Sequence, residues 1–324
     1  MNFHQLRSIR DAVRRDLKET ACAPLAEQPY LSKQIGKVEQ ELGVLIFERS
    51  GRRLAGLTEP GKGIVKIVDR LLIEAENLRQ ASLEYSSRKS GALTVAATHT
   101  QARYALPKVM QGFRAAFPGV RVALQQGAPE HIAESVLSGK ADIGIASEGL
   151  AQFRGLVSFP CYCWHHLIVV PDSHPLLSRS PIRLEDLAQF PLITYDIGFT
   201  GRGHIDAAFA KAGVKTDIVL TAMDSDVIKQ YVSLGLGVGL VASMAFDATR
   251  DQGLRAVEAS HLFAINTTRL AVRRGALLRC YIYQFMLCFA PELTRAEIDL
   301  AMENVASITP ATSDGDSIFI ASTP

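Results

Sequence analysis

One segment constrains the fold of this 324-residue chain more than any other: an apolar stretch that turns abruptly polar and then helical. Residues 93–97 read Leu-Thr-Val-Ala-Ala, which is typical of a buried strand because the side chains are small or β-branched. The polar residues 98–101, Thr-His-Thr-Gln, interrupt it, and apolar residues at helical spacing follow from Val109 to Phe117. A strand therefore ends, and a helix begins, at a cluster of hydroxyl and amide groups.

Two interpretations of this polar cluster remain open. Free N–H groups and the positive end of a helix dipole favour a small anion, which the hydroxyls of Thr98 and Thr100 could also bind. Threonine is equally a common helix cap, so either residue could serve only to begin the helix. Features elsewhere in the sequence are needed to distinguish a ligand site from a helix cap.

Composition excludes several classes of protein. Apolar residues make up 48% of the chain, which is enough for a sizeable core, and the net charge of +2 gives no general attraction for nucleic acid. No apolar signal region begins the chain, and no run is long enough to span a bilayer, so we expect a cytoplasmic protein. Five cysteines without a C-x-x-C pair predict reduced thiols, and no cofactor is expected.

The N-terminal part has the pattern of a winged helix-turn-helix. Helices are predicted after Asn2, near residues 19–25, and from Pro29 to Leu42, where Gly43 ends the last one. Residues 44–47 and 54–57 are predicted as two strands on either side of a turn at 50–53. Residues 61–88 then predict one long amphipathic helix, which is typical of dimerisation. Packing of this helix on its own domain is the alternative.

The chain from Gly91 alternates between strand and helix patterns. Strands are predicted at residues 93–98, 120–126, 142–147, 167–171, 192–195, 218–223, 238–242 and 270–273. Helices lie between them, for example at 129–138 and 224–234, each followed by glycine. This order predicts a doubly wound α/β fold. The Ser-, Thr- and Pro-rich end of the chain is predicted to be a tail.

These features together resemble the LysR-type transcriptional regulators. The N-terminal resemblance rests on Gln28-Pro29, Leu31-Ser32-Lys33-Gln34-Ile35, Glu39, Leu42-Gly43 and Leu57-Thr58-Glu59-Pro60-Gly61. The string from Thr98 to Pro107, together with Thr194-Tyr195-Asp196, Gly198-Phe199-Thr200-Gly201-Arg202 and Leu234-Gly235-Leu236-Gly237-Val238-Gly239, resembles the CysB-like subfamily. That subfamily controls genes of sulfur assimilation and cysteine biosynthesis.

The resemblance implies an architecture and a set of boundaries. It implies a winged helix-turn-helix at 1–60, a linker and dimerisation helix at 61–90, a periplasmic-binding-protein-like effector domain at 91–295 and a tail at 296–324. The effector domain would comprise one subdomain at 91–163 with 267–295 and a second at 164–266. Members of the subfamily are homotetramers, so homodimer and tetramer contacts are expected, with Ile64, Ile67, Leu71 and Leu78 in the helix seam.

The resemblance also implies the functional residues. An effector such as sulfate, thiosulfate or an acetylserine would bind in the cleft between the subdomains. The matching ligand-binding positions are Thr98, Thr100, Gln101, Glu148, Trp164 and Thr200. Promoter DNA would be contacted by Gln28, Pro29, Ser32, Lys33, Gln34, Lys37, Arg52 and Arg53. Hydroxyl and amide donors suit a sulfate-sized anion, because a dry cleft penalises an unbalanced ion pair.

The segment before the third helix departs from the family. Lys18 stands where a small polar residue is usual, Pro24 replaces leucine within the expected second helix, and Glu27 replaces the serine before Gln28-Pro29. A carboxylate at position 27 would face DNA phosphate, where a hydroxyl would donate to it. These differences predict weaker DNA binding than is usual for the family. They also keep open a ligand sensor whose helix-turn-helix no longer binds DNA.

An enzyme is the third interpretation, and the motifs argue against it. No P-loop or G-x-S-x-G motif occurs, and Gly235-x-Gly237-x-Gly239 lacks the spacing of a dinucleotide fingerprint. His165 and His166 near Cys161 and Cys163 raise the possibility of a metal. Alternation along a strand would point the two histidines to opposite faces, so we expect no metal site.

Overall fold

The computed structural model describes residues 1–16, 28–50, 53–86 and 89–303. The chain divides into two compact units, the first formed by residues up to 88 with 276–279, the second by the others from 89 onward. No described helix combines the length and apolar character needed to cross a membrane.

The first unit is a winged helix-turn-helix followed by a long helix. Its elements are α1 (Phe3–Asp16), α2 (Gln28–Leu42), β1 (Phe47–Ser50), β2 (Arg53–Leu57) and α3 (Glu59–Ser86). Asn2 Oδ1 accepts a 3.0 Å hydrogen bond from the Gln5 N–H, so the predicted cap of α1 is confirmed. Gly43 ends α2 at a φ of 71°, which favours glycine. Leu6, Ile9, Ile35 and Val38 form the core between the helices.

The prediction of a strand over residues 44–47 is wrong, since β1 begins only at Phe47. The buried carboxylate of Glu39 explains the difference. It accepts hydrogen bonds from the N–H groups of Ile46 at 2.9 Å and Phe47 at 3.1 Å, which a partner strand would otherwise pair. The helix predicted near residues 19–25, with Lys18, Pro24 and Glu27, lies outside the described residues.

The long helix α3 has two distinct apolar faces. Val65, Val68 and Leu72 are buried in the core of the first unit, and Ile64 packs against the same core. The predicted seam residues Ile67, Leu71 and Leu78 are exposed instead. Ile64 thus contacts the core of its own unit while remaining partly exposed, and the seam of Ile64, Ile67, Leu71 and Leu78 stays a prediction.

The second unit is an α/β structure with two five-stranded sheets. Its elements begin with β3 (Ser90–Ala97), a π-helical turn (Gln101–Ala105), α4 (Leu106–Ala116), β4 (Gly119–Gln126), α5 (Pro129–Leu137), β5 (Ile143–Ser147) and β6 (Leu156–Trp164). They continue with β7 (His166–Pro171), α6 (Leu184–Leu187), β8 (Leu192–Tyr195), α7 (Thr200–Ala212), β9 (Ile218–Ala222) and α8 (Ser225–Ser233). The last are β10 (Val238–Ala242), β11 (Leu254–Glu258), β12 (Asn266–Arg273), α9 (Cys280–Phe289) and α10 (Arg295–Glu303).

The two sheets define two lobes. The first lobe contains the sheet β4-β3-β5-β12-β6 and the second contains β11-β7-β10-β8-β9. Both sheets are mixed: β3 pairs in parallel with β4 and β5, whereas β12 runs antiparallel to β5 and β6. The chain passes between lobes at His165, which separates β6 from β7, and again just before β12, where Asn266 pairs with Trp164.

The strands predicted in the second unit are confirmed, and two of its strands were not predicted. β12 begins at Asn266 rather than at residue 270, which brings Thr267 and Thr268 into the sheet. The strands β6 and β11 add antiparallel neighbours that the doubly wound prediction did not include. Apolar residues of β3, β5 and α5 fill the first lobe, and those of β7, β8 and β10 fill the second.

Candidate ligand-binding cleft

The strand-to-helix turn after β3 lies buried within the second unit. The Thr98 N–H donates to the Ile145 carbonyl at 3.1 Å, and the Thr98 carbonyl accepts from Ala102 at 2.9 Å. Thr98, Thr100 and Gln101 are only 8%, 9% and 3% exposed. Thr100 makes no side-chain cap to the helix that follows. Capping therefore does not explain why a hydroxyl is buried at position 100.

The Gln101 side chain is fixed by the first lobe. Its Nε2 donates to Thr268 Oγ1 at 3.0 Å, and the Tyr162 hydroxyl donates to its Oε1. Burial raises the pKa of Tyr162 to about 12, so this hydroxyl remains a donor at neutral pH. Gln101 thus holds the turn against β6 and β12. Tyr162 and Thr268, which contact it, were not among the predicted site residues.

Thr100 connects the turn to the second lobe. Its side chain interacts with the buried hydroxyl of Tyr195, the last residue of β8. The same hydroxyl lies 2.7 Å from Ser225 Oγ and accepts from the Ala242 N–H at 2.9 Å. Burial raises the pKa of Tyr195, although these hydrogen bonds oppose the shift. The Tyr195 hydroxyl therefore links β8, α8 and β10 of the second lobe and lies beside the turn that follows β3.

The first turn of α7 forms part of the second lobe. α7 begins at Thr200, and the N-cap residue Phe199 offers no side-chain cap. The Thr200 side chain lies outside the described part of the structure. Gly201 allows a close approach here, because a Cβ would lie 3.0 Å from His166 Nε2 and 3.1 Å from Trp164 Cη2. The backbone of α7 therefore starts directly against these two rings.

Glu148 and His204 face each other across the lobes. Glu148 Oε1 lies 3.3 Å from His204 Nε2 on α7, and its Oε2 accepts from the Thr267 N–H at 3.0 Å. The carboxylate is therefore already partnered by a histidine and a backbone donor. A carboxylate beside a predicted anion site would repel the anion if it had no partner. Here the Glu148 carboxylate contacts His204, which reduces that repulsion.

Another polar contact between the lobes follows the turn directly. The Tyr104 hydroxyl donates to Asp226 Oδ1 at 2.7 Å, and the Arg103 guanidinium pairs with Asp226 Oδ2. Lys229, one turn further along α8, donates to Asp251 and lies 3.3 Å from the Tyr104 hydroxyl. Arg103 and Tyr104 belong to the same π-helical turn as Gln101, so one short segment carries both the polar cluster and this ionic contact.

One group of potential metal ligands occurs among the described residues: His99, Asp224 and Asp226. Asp224 caps α8 by accepting from the Val227 N–H at 2.8 Å, and Asp226 pairs with Arg103. Both carboxylates thus already have structural partners. Cys161, Cys163 and the neighbouring histidines form no such group in the described part of the chain. Burial raises the pKa of the Cys161 thiol to about 11, which disfavours the thiolate a metal would need.

The predicted DNA-contacting residues whose side chains the structure describes lie on α2. Lys33 and Lys37 are exposed, Ser32 and Gln34 are half-buried, and Ile35 and Val38 face the core. The side chains of Gln28, Pro29 and Arg53, and all of Arg52, lie outside the described part. Arg49 on β1 was not among the predicted residues. Its side chain is 40% exposed, and its Nη2 lies 2.9 Å from Glu39 Oε2.

Comparison with known proteins identifies both units. Residues 6–62 match the family of bacterial regulatory helix-turn-helix proteins of lysR type, and residues 86–293 match the LysR substrate binding domain. The chain is 53% identical over 300 residues to the HTH-type transcriptional regulator SsuR of Burkholderia cenocepacia, covering 92% of this chain and 97% of that one. It is 49% identical over 308 residues to CysB of the same organism, covering 94% and 98%.

Two solved structures are also similar to this chain. The cofactor-binding domain of the Cbl transcriptional regulator is 50% identical, with a TM-score of 0.64, and the match covers 66% of this chain and 94% of that one. Full-length OxyR from Pseudomonas aeruginosa, at 21% identity and a TM-score of 0.61, covers 90% of this chain and 97% of that one and shares the fold.

Proposed function

Because the chain belongs to the LysR family of transcriptional regulators, we propose that it controls genes of sulfur assimilation and cysteine biosynthesis in response to a small anionic metabolite. It is a DNA-binding regulator and not an enzyme. Members of this family bind promoter DNA and small effectors, and they oligomerise. The relatives SsuR, CysB and Cbl support the choice of regulated genes.

The effector site in this proposal comprises Thr98, Thr100, Gln101, Glu148, Trp164 and Thr200. One observation supports it above all: Thr100 is a buried hydroxyl without a capping role, and it contacts the opposite lobe through Tyr195. An anion at this turn would accept from threonine hydroxyls and free N–H groups at once. Since Thr100 and α7 belong to different lobes, binding would favour one arrangement of the lobes.

Calorimetric titration of the full chain tests this site. Sulfate, thiosulfate, O-acetylserine and N-acetylserine are titrated into the wild type and the Thr98→Val and Thr100→Val variants. Valine keeps the branched shape and removes the hydroxyl, and loss of a hydrogen bond to a charged ligand weakens binding by about 1.5–3 kcal/mol, or roughly tenfold to a hundredfold.

Thr221→Val is the matched control, because Thr221 is exposed on β9, the edge strand of the second-lobe sheet. We expect it to bind as the wild type does. Wild-type affinity in both Thr98→Val and Thr100→Val would refute the site, and binding of none of the four ligands to the wild type would refute this class of effector.

Oligomerisation through α3 is part of the proposal. Ile67, Leu71 and Leu78 are 52%, 42% and 75% exposed and lie on one side of the helix. Such a continuous apolar stripe is the usual seam of paired helices. We propose a homodimer through this stripe, and tetramers through further contacts as in the CysB-like subfamily.

A further inference from the structure

Unpartnered polar atoms are concentrated where the chain crosses between the lobes. Among the described residues, Trp164 Nε1, Asn266 Oδ1 and both ring nitrogens of His166 are buried without a hydrogen-bond partner. His166 and Asn266 are fully buried. Trp164 and Asn266 pair on neighbouring strands, and His166 follows two residues later, so these four atoms belong to one small region.

Such a cluster is unusual in a folded protein. A buried polar group without a partner destabilises the fold by about 1–3 kcal/mol, so nearly all such groups are satisfied by protein, water or ligand. The His166 ring packs edge-on against Trp164 at 5.3 Å and Phe263 at 5.5 Å between ring centroids. These contacts fix the ring but offer nothing to its nitrogens. A molecule that enters the cleft could therefore satisfy several groups together.

This region adjoins the predicted anion site. The first turn of α7 separates them, and a Cβ on Gly201 would lie 3.0 Å from His166 Nε2. An anion held at the start of α7 and by Thr98 and Thr100 would thus lie next to His166. The start of α7 therefore contacts the His166 region and belongs to the proposed anion site as well.

The available groups carry no formal charge. Burial, with smaller effects from His204 and His165, lowers the pKa of His166 to about 3, so its ring is neutral at pH 7, with one nitrogen donating and the other accepting. The indole of Trp164 donates and the Asn266 oxygen accepts. This combination matches a hydroxyl or amide, which both donates and accepts, better than it matches a second ionic group.

We propose that His166, together with Trp164 and Asn266, recognises the uncharged polar end of an organic anion whose charged end binds at Thr98 and Thr100. This inference rests on the proposed function and adds that the cleft distinguishes an organic anion with a polar tail from an inorganic one. His166 is the specificity-determining residue in this arrangement.

Two ligands with the same charged end test the inference: 2-hydroxyethanesulfonate, which has a hydroxyl tail, and ethanesulfonate, which has a similar tail without it. We expect the full-length wild type to prefer the hydroxyl ligand by about five- to tenfold in calorimetry, equivalent to one neutral hydrogen bond. The His166→Phe variant, which keeps an aromatic ring, should lose that preference and bind sulfate within twofold of the wild type.

Two further variants make the result specific. Trp164→Phe removes the indole N–H and should also reduce the preference. His174→Phe is the matched control, since the His174 ring lies 4.6 Å from the Phe190 ring elsewhere in the second lobe, and it should retain the preference. If His166→Phe keeps the preference, or loses sulfate binding equally, the inference is wrong.

The wild type alone separates this inference from the proposed function. Sulfate binding without preference between the two sulfonates would contradict only the role of His166. Binding of no anion at all would contradict the proposed effector site itself.

Discussion

Replacing Lys229 with methionine should strongly destabilise the second unit. The Lys229 side chain is 8% exposed, and its Nζ donates to the two carboxylate oxygens of Asp251 at 2.8 and 2.9 Å. It also donates to the Ala245 carbonyl at 2.6 Å and to the Tyr104 hydroxyl at 3.3 Å. Tyr104 belongs to the first lobe and the other partners to the second, so the Lys229 ammonium donates hydrogen bonds to both lobes.

The expected magnitude follows from what methionine leaves behind. Asp251 is 13% exposed, so without Lys229 its carboxylate would remain largely buried. It would still accept the 2.9 Å hydrogen bond from the Asp247 N–H. Removing one partner of a buried ion pair typically destabilises a protein by 3–5 kcal/mol. Because Asp251 retains this hydrogen bond and some exposure, we expect about 3 kcal/mol, near the lower end of that range.

Urea unfolding of the full chain measures this change. Trp164 is the single tryptophan and lies in the second unit, so its fluorescence follows the unit that contains Lys229. Lys211→Met makes the same substitution at an exposed position of α7 and should change stability by less than about 0.5 kcal/mol. A loss below about 1 kcal/mol in Lys229→Met would refute the argument that this ion pair is buried and strongly coupled.

The pH dependence of the same site has a defined sign. Burial lowers the pKa of Lys229, but the hydrogen bonds that its ammonium donates to Asp251 and Tyr104 outweigh this effect, and the net pKa lies above the ordinary 10.5. A folded-state pKa above the unfolded value stabilises the fold fully below the unfolded pKa, and that stabilisation is lost as pH rises through the folded pKa. The wild type should therefore lose stability above pH 10.5 more steeply than Lys229→Met.

Three other predictions concern oligomerisation, acid stability and DNA binding. Leu71→Glu should reduce the mass in light scattering at micromolar concentration, whereas Lys66→Glu, exposed on another side of α3, should not; equal masses would exclude this seam. The pKa of His166 falls from 6.5 in the unfolded chain to about 3 in the fold, so the free energy of unfolding should decrease below pH 6.5, by about 2 kcal/mol at pH 5. This decrease should be smaller in His166→Phe. The same dependence of stability on pH in both proteins would contradict the prediction. Glu27→Ser should bind promoter DNA more tightly across a salt series by removing repulsion of phosphate, and unchanged affinity would disprove that account of Glu27.

Local sequence patterns predicted several helices and most strands because the relevant signals are short-range, whereas α9 and α10 were not predicted. The Asn2 cap, the glycine after α2 and the apolar spacing of α5 and α8 all lie within a few residues of the element they define. β6 was missed because Leu156–Trp164 contains Pro160 and mixed polar residues without strict alternation. Its pairing with β12, more than a hundred residues later, leaves no local signal.

The site was predictable only in part, for the same reason. The buried turn carrying Thr98 and Thr100 follows from a strand pattern that stops at polar residues. Tyr162 and Tyr195 reach that turn from strands distant in sequence, and only the three-dimensional packing brings their hydroxyls to Gln101 and Thr100. The partner of Glu148 is likewise set by α7, because no spacing in the sequence connects Glu148 with His204.

The affinity of the full chain for promoter DNA, measured with and without effector, tests the central claim most directly. Fluorescence anisotropy with DNA from upstream of a sulfur-assimilation gene gives the Kd alone and with sulfate, thiosulfate or either acetylserine. We predict that at least one ligand changes the Kd of the wild type by about fivefold or more, a typical coupling between sites, and that Thr100→Val removes the change. A wild-type Kd that none of these ligands alters, or no DNA binding even at low salt, would contradict the account.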